Sequence, residues 1–165
     1  MITLEPIVPE KVFIFKAVRL RALQDSPSAF GSTYAKESQL TDADWVTRAV
    51  RWSSDGSTGY IAMDGDNPCG IAASYLDEND ATQAHLVSMW TAPTHRQQGI
   101  GRLLINEILG WARLREARTL QLLVTSNNEP AISFYKSLGF ARTGRTEPYP
   151  NDPALLEYEM SRVIL

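Results

Sequence analysis

The chain is poor in residues that staple or ligate. Cys69 is the single cysteine among 165 residues, which rules out an intrachain disulfide. The two histidines, His85 and His95, lack metal-ligand spacing with any carboxylate or with Cys69, so no metal is expected. No apolar run approaches the roughly 20 residues of a membrane-spanning helix. The opening Met-Ile-Thr-Leu-Glu-Pro lacks the basic region and apolar core of a signal peptide. Positive charge is not in excess either: 16 Lys and Arg stand against 19 Asp and Glu, a formal net charge of −3. Nucleic-acid binders are usually basic, so neither a nucleic acid nor a membrane is expected as partner. There is no internal repeat, low-complexity tract or interdomain linker. A cytoplasmic, reducing setting follows. What remains is an ordinary globular composition, 44% hydrophobic and 21% charged. The length suits one domain over residues 1–165.

Apolar and polar residues alternate over Ile2 to Ile7, as in a half-buried strand. From Pro9 a helical pattern follows, with Val12, Phe13, Phe15, Lys16, Val18, Leu20 and Leu23 as a broad stripe ending near Asp25-Ser26-Pro27. Ser28 to Gln39 reads as a loop, with or without a short helix. Thr41 and Asp44 have the spacing of a capping box for a second helix ending near Trp52. Gly59–Met63 and Gly70–Leu76 read as a hairpin around Asp64-Gly65-Asp66-Asn67-Pro68. The acidic loop Asp77-Glu78-Asn79-Asp80 leads to a strand ending at Thr91. Ile100, Leu104, Ile108 and Trp111 recur at helical spacing in a helix reaching about Arg115. Leu120–Thr125 reads as a central strand covered on both faces, and Leu155–Ile164 as a last strand. Strands and helices thus mix in an α/β pattern.

The richest segment is Thr94-His95-Arg96-Gln97-Gln98-Gly99-Ile100-Gly101-Arg102, at a strand-to-helix junction. The first amides of a helix lack internal partners and lie at the positive end of its dipole, so such a junction suits a phosphate. The pattern Arg-x-x-Gly-x-Gly is no Walker loop, because no Gly-x-x-x-x-Gly-Lys-Ser/Thr run occurs. It is no dinucleotide fingerprint, because Leu104 replaces the third glycine. A tight turn ahead of a surface helix, with Arg96 and Arg102 solvated, equally fits this segment alone. Downstream, Leu120 to Phe140 reads as a strand, an Asn-started helix and a glycine stop at Gly139.

The two segments together resemble the GNAT superfamily of acetyl-CoA-dependent N-acetyltransferases, strongly over Thr82–Phe140 and loosely elsewhere. The resemblance implies a mostly antiparallel central sheet of about six or seven strands with one splayed parallel pair, flanked by about four helices. It implies transfer of acetyl from acetyl-CoA to a primary amine by direct attack in a ternary complex. The loop Arg96, Gln97, Gln98, Gly99, Ile100, Gly101 and Arg102 would receive the CoA pyrophosphate, with Gly99 and Gly101 leaving room for it. The family often has Gly where Gln97 stands. Main-chain groups at Met89, Trp90 and Thr91 would pair with the pantetheine arm, and an amide near Val87–Met89 would face the carbonyl oxygen. Asn128 would contact the cofactor, and Tyr135 would be the general acid beside the sulfur.

Each role has a plainer alternative. Tyr135 shares a core stripe with Ala131, Phe134 and Leu138, and Asn127 or Asn128 suits a helix cap. Relatives often carry a Glu base on the strand before the loop, but Ala84–Thr91 has no carboxylate. His85 is a candidate because histidine is the side chain suited to taking a proton near neutrality, although its place near the strand start suits a surface residue. Glu37 and Glu78 are other candidates, and the base stays unassigned. Ser26–Ser32 resembles a stretch common in bacterial members, at the acceptor wall, which offers Phe30, Tyr34 and Glu37 as substrate contacts. Trp90 is a further pocket candidate, and Cys69 reads as a hairpin residue. The acceptor is a small-molecule amine or a peptide; a homodimer is left open. A rival function is a non-catalytic acyl-CoA sensor, which would not need Tyr135; a plain nucleotide-binding domain is a third.

Overall fold

Alternation at the start of the chain yields β1 (Ile2–Pro6) in the computed structural model, which describes all of residues 1–165. A 3-10 turn at Pro9–Lys11 precedes α1 (Val12–Asp25). The buried face of α1 is narrower than its apolar composition suggests. Phe15, Val18, Ala22 and Leu23 point inward, whereas Phe13 is 73% exposed, one residue off the stripe. The segment after α1 holds a 3-10 turn at Pro27–Ala29 and the single-turn α2 (Tyr34–Glu37). The capping box forms as its spacing predicts: Thr41 and Asp44 exchange hydrogen bonds and start α3 (Asp42–Trp52).

The hairpin strands β2 (Ser57–Asp64) and β3 (Asn67–Leu76) are longer than the apolar runs within them. Pairing of Asp64 with Asn67 leaves a two-residue turn whose Gly65 takes φ 60°. After β4 (Gln83–Thr91) come α4 (Ile100–Leu114), β5 (Thr119–Thr125) and α5 (Glu129–Ser137). The chain closes with β6 (Ala141–Tyr149) and β7 (Asp152–Val163). Strand β6 has no apolar alternation to betray it. It is an exposed edge strand, bent where its register shifts around Gly144 and carrying Pro148, which only an edge tolerates well.

The seven strands form one sheet in the order β1-β2-β3-β4-β5-β7-β6. Only the β4–β5 pair is parallel. Successive residues of β3 from Cys69 to Ser74 are all buried, so both of its faces are covered, and α1 and α4 each pack on it. The α4 stripe of Ile100, Leu104, Ile108 and Trp111 is buried as expected, joined by Ile105, Leu109 and Ala112. Strand β5 is covered less completely than its run of apolar residues implies. Leu120, Leu122 and Val124 are buried, but Leu123 is exposed because its face opens onto a cleft.

Candidate active site

The cleft exists because β4 and β5 part company. They pair at Gln83–Thr119, Ala84–Leu120 and His85–Gln121 and no further. Beyond that point Leu86–Thr91 and Leu122–Thr125 diverge, and a cavity of about 700 Å³ opens between them. A bulge re-aims β4 at the same place. Trp90 pairs with Ile71 and Val87 with Ala73, so Ser88 and Met89 together oppose Ala72, and Ser88 takes φ 58°. A non-glycine residue in this left-handed region costs on the order of 1 kcal/mol, which the surroundings must hold in place. Arg19 of α1 contributes to that hold by donating to Ser88 Oγ at 2.9 Å.

Next to the splay stands the N-terminus of α4. Backbone amides from Gln97 through Arg102 find no acceptor, main-chain or side-chain. Two left-handed residues arrange them, Gln97 at φ 63° and Gly99 at φ 83°. Gln97 therefore adopts the conformation for which a glycine is the usual choice. The two glycines of the motif differ in purpose. A Cβ on Gly99 would meet nothing within 4 Å, so its need is conformational. A Cβ on Gly101 would lie 2.9 Å from Phe134 and 3.1 Å from Met89. Gly101 thus lets α4 pack against α5 and β4, which corrects the expectation that it clears space for a ligand.

Arg96 is not a free cation at this junction. Its guanidinium donates to Asp25 Oδ2 at 2.6 Å and to the Thr91 carbonyl at 3.0 Å. Trp90 Nε1 also donates to Asp25, at 2.9 Å, so Trp90 is a buried tie between β4 and α1 and does not line the cleft. Burial pushes Asp25 upward, but the hydrogen bonds from Trp90, Ser26 and Arg96 outweigh it and hold the carboxyl below its ordinary value. Arg102 is exposed and makes no ion pair. What this loop offers an anion is therefore its free amides and the helix dipole more than Arg96.

Helix α5 supplies the other side of the cleft. Asn128 is the cap: its Oδ1 accepts from the Ala131 amide at 3.3 Å, while the residue also lines the cleft. Tyr135 is 8% exposed, packed against Phe134 and Phe140, and lines the cleft too. It belongs both to the core stripe and to the cleft lining. Burial pushes its phenol above the usual tyrosine value, so it remains protonated at any working pH.

On the opposite wall, Phe30 lines the cleft, held there by hydrogen bonds from Tyr149 Oη and Asn151 to its carbonyl. Tyr34 is partly exposed and lies outside the cavity. Glu37 is 1% exposed and clamped by Arg19, which donates from Nε and Nη2 at 3.0 Å each, and by Arg48 at 2.8 Å. Burial pushes its carboxyl up, but Arg19, Ser32 and Arg48 more than compensate and hold it low. As a buried, doubly paired carboxylate outside the cavity, Glu37 is neither base nor substrate contact. Glu78 is exposed and also outside the cavity.

His85 departs from the surface residue that its position suggests. It is half-buried, stacks on Tyr75 with ring centroids 4.9 Å apart, and lines the cleft. Its Nε2 lies 2.9 Å from Asp77 Oδ1. The His85 contact and the Asn79 amide hold Asp77 below the ordinary carboxylate range. An ionised carboxylate only accepts, so Nε2 donates to Asp77 and Nδ1 is the ring nitrogen left for another partner. Sequence spacing did not connect Asp77 to His85, because the link runs across the β3–β4 turn. Three carboxylates of the last hairpin, Glu147, Glu157 and Glu159, also line the cleft unforeseen. The alternation of Glu157 and Glu159 along one strand was their only signal.

The chain matches the model of the acetyltransferase (GNAT) family over residues 20–140. It is 39% identical over 101 residues to streptothricin acetyltransferase of Streptomyces lavendulae, covering 55% of this chain and 53% of that one. With the peptidyl-lysine N-acetyltransferase YjaB of Salmonella typhimurium it shares 27% identity over 140 residues, covering 81% and 83%. The chain thus spans about half the length of the streptothricin enzyme and most of YjaB. Among solved structures, the PaiA N-acetyltransferase of Thermoplasma acidophilum in complex with coenzyme A superposes with a TM-score of 0.78 at 17% identity, covering 99% of each chain. Splayed sheet, bulged strand, helix-start loop and family match agree: this chain belongs to the GNAT acetyltransferase family.

Proposed function

We propose that the protein is an N-acetyltransferase that moves acetyl from acetyl-CoA to a primary amine by direct attack within a ternary complex. The observation that carries this reading is the row of unpartnered amides from Gln97 to Arg102 beside the β4–β5 gap. Those amides suit the pyrophosphate, and the free edge of β4 around Met89 and Thr91 suits the amide groups of the pantetheine arm. The side-chain amide nitrogen of Asn128, free of the cap, adds a donor there. The cosubstrate supplies an activated thioester carbonyl.

The remaining work falls to the chain. Main-chain amides at the Val87–Met89 bulge stabilise charge gathering on the carbonyl oxygen. His85, held by Asp77, takes the proton that the acceptor ammonium must lose before its nitrogen can attack; Nδ1 is its basic atom. Tyr135 donates to the departing sulfur. Its phenol lies above a thiol of reference pKa about 8.5, so it contributes a hydrogen bond to the developing thiolate more than a completed proton transfer. The streptothricin and peptidyl-lysine acetyltransferases among the relatives support an amine acceptor, small or protein-borne.

The test pairs binding with turnover. Tyr135→Phe is expected to keep acetyl-CoA affinity within twofold and to slow acetyl transfer at least tenfold. Unchanged turnover would remove Tyr135 from the mechanism. Thermal stabilisation by NAD or ATP in preference to acetyl-CoA would overturn the cofactor assignment and with it the acetyltransferase reading.

A further inference from the structure

The β6–β7 hairpin builds a wall of the cleft with more negative charge than the protein neutralises. Glu147, Glu157 and Glu159 line it, with one guanidinium, Arg145, among them. Arg145 lies 3.4 Å from Glu147 and 3.9 Å from Glu159, and Thr143 donates to Glu159 at 2.9 Å. Glu157 has no ion pair and no hydrogen bond. It faces Glu147 directly across the β6–β7 pair, an opposition of like charges that destabilises a sheet. Arg19, the other guanidinium on the cleft, is taken up by buried Glu37. On the far side Asp77 is matched with His85.

A second group on this wall is also unsatisfied. Thr125 faces Glu157 across the β5–β7 pair, so the two side chains share the cleft face. Thr125 is 3% exposed, and its Oγ1 has no hydrogen-bond partner. Buried hydroxyls are ordinarily partnered, so a lone one beside an unpaired carboxylate marks a place where a partner is missing. The missing group must bear positive charge and hydrogen-bond donors, as an ammonium does. It is not the ammonium that reacts, because under the reading above that nitrogen gives its proton to His85, whereas the charge at Glu157 needs a partner that stays protonated.

We infer that the acceptor is a dication, a diamine-type compound in which one primary amine is acetylated while a second ammonium rests between Glu157 and the Thr125 hydroxyl. This specificity rests on the acetyl-transfer reading above. In the net step the C–N bond forms and the C–S bond breaks. The reacting ammonium gives up two protons, one to the base and one that ends on sulfur. The second ammonium keeps its charge throughout, so Glu157 holds substrate and product alike.

The compounds that test this are 1,5-diaminopentane and pentylamine, which differ by one ammonium. Each is titrated calorimetrically into CoA-saturated protein, and each is assayed for acetylation. The diamine is expected to bind at least tenfold more tightly and to show a kcat/KM at least tenfold higher, mostly through KM. In Glu157→Gln the diamine-to-monoamine ratio is expected to fall to within about twofold of unity. Thr125→Val is expected to lower the ratio severalfold. A wild-type ratio below twofold, or one that survives both Glu157→Gln and Glu147→Gln/Glu157→Gln, overturns the inference. Preferential diamine binding without acetylation of either amine defeats the acetyl-transfer reading and leaves the dication site standing.

Discussion

At the end of the cleft that the proposed function gives to the cofactor, around the start of α4, the groups that face outward are main-chain amides. They are set by two left-handed residues, Gln97 and Gly99, and by the parting of β4 from β5. At the end proposed for the acceptor they are side chains: Phe30 from the α1–α2 loop, His85 from β4 and a row of glutamates from β6 and β7. On that reading the first end recognises by backbone geometry, so its side chains are free to change wherever φ allows. The second recognises by charge, so a single substitution alters what it accepts. One fold can therefore keep a common cosubstrate while its acceptor changes.

The largest test of this contrast concerns the support of the acceptor wall. Glu37→Ala leaves Arg19 and Arg48 without their buried partner, which costs about 3–5 kcal/mol. At roughly 2–4 °C per kcal/mol for a chain of this size, thermal unfolding is expected near 10 °C lower. A loss under about 3 °C would show that this ion group does not hold the wall. Next comes the backbone end. Gly99→Val forces a β-branched residue into positive φ and is expected to weaken acetyl-CoA binding about tenfold, the equivalent of about 1.4 kcal/mol. Retained affinity, measured by titration calorimetry, would mean that the amides are not the anchor.

Gln97→Gly removes a strained side chain from the same loop. It is expected to raise stability by about 0.5–1 kcal/mol without weakening acetyl-CoA binding. A weakened affinity would assign the Gln97 side chain a contact with the cofactor. The smallest effect carries a sign. Burial and Glu147 raise Glu157 in the folded state, so its ionised form opposes folding. Glu157→Gln is expected to be slightly more stable than the parent at pH 7–8. The gap should close as pH falls through the raised value and the parent glutamate takes up its proton. A gap that widens on acidification would contradict an unpaired Glu157.

Local patterns made most elements legible, including the Thr41–Asp44 capping box, the α4 stripe and the Asn128 helix start. Strand β6 escaped because an edge strand buries little and needs no alternation. At the cleft, the helix-start loop and the place of Tyr135 on the helix after it could be read from the sequence. The motif's inner workings could not: Gly101 serves packing against Phe134, and Arg96 is spent on Asp25, 71 positions away.

By itself the sequence pointed to the family and, through it, to the cosubstrate proposed here. A loop of glycines and arginines at a strand-to-helix junction, followed by Asn128 and Tyr135 at fixed spacing, is local information, because amides and caps are set by neighbouring residues. Only the tertiary structure decided the charge of the cleft wall proposed for the acceptor. Glu37 was withdrawn into an ion pair, His85 was joined to Asp77, and Glu147, Glu157 and Thr125 met across three strands. Charges act through space, and no spacing along the chain records which of them the sheet will bring together.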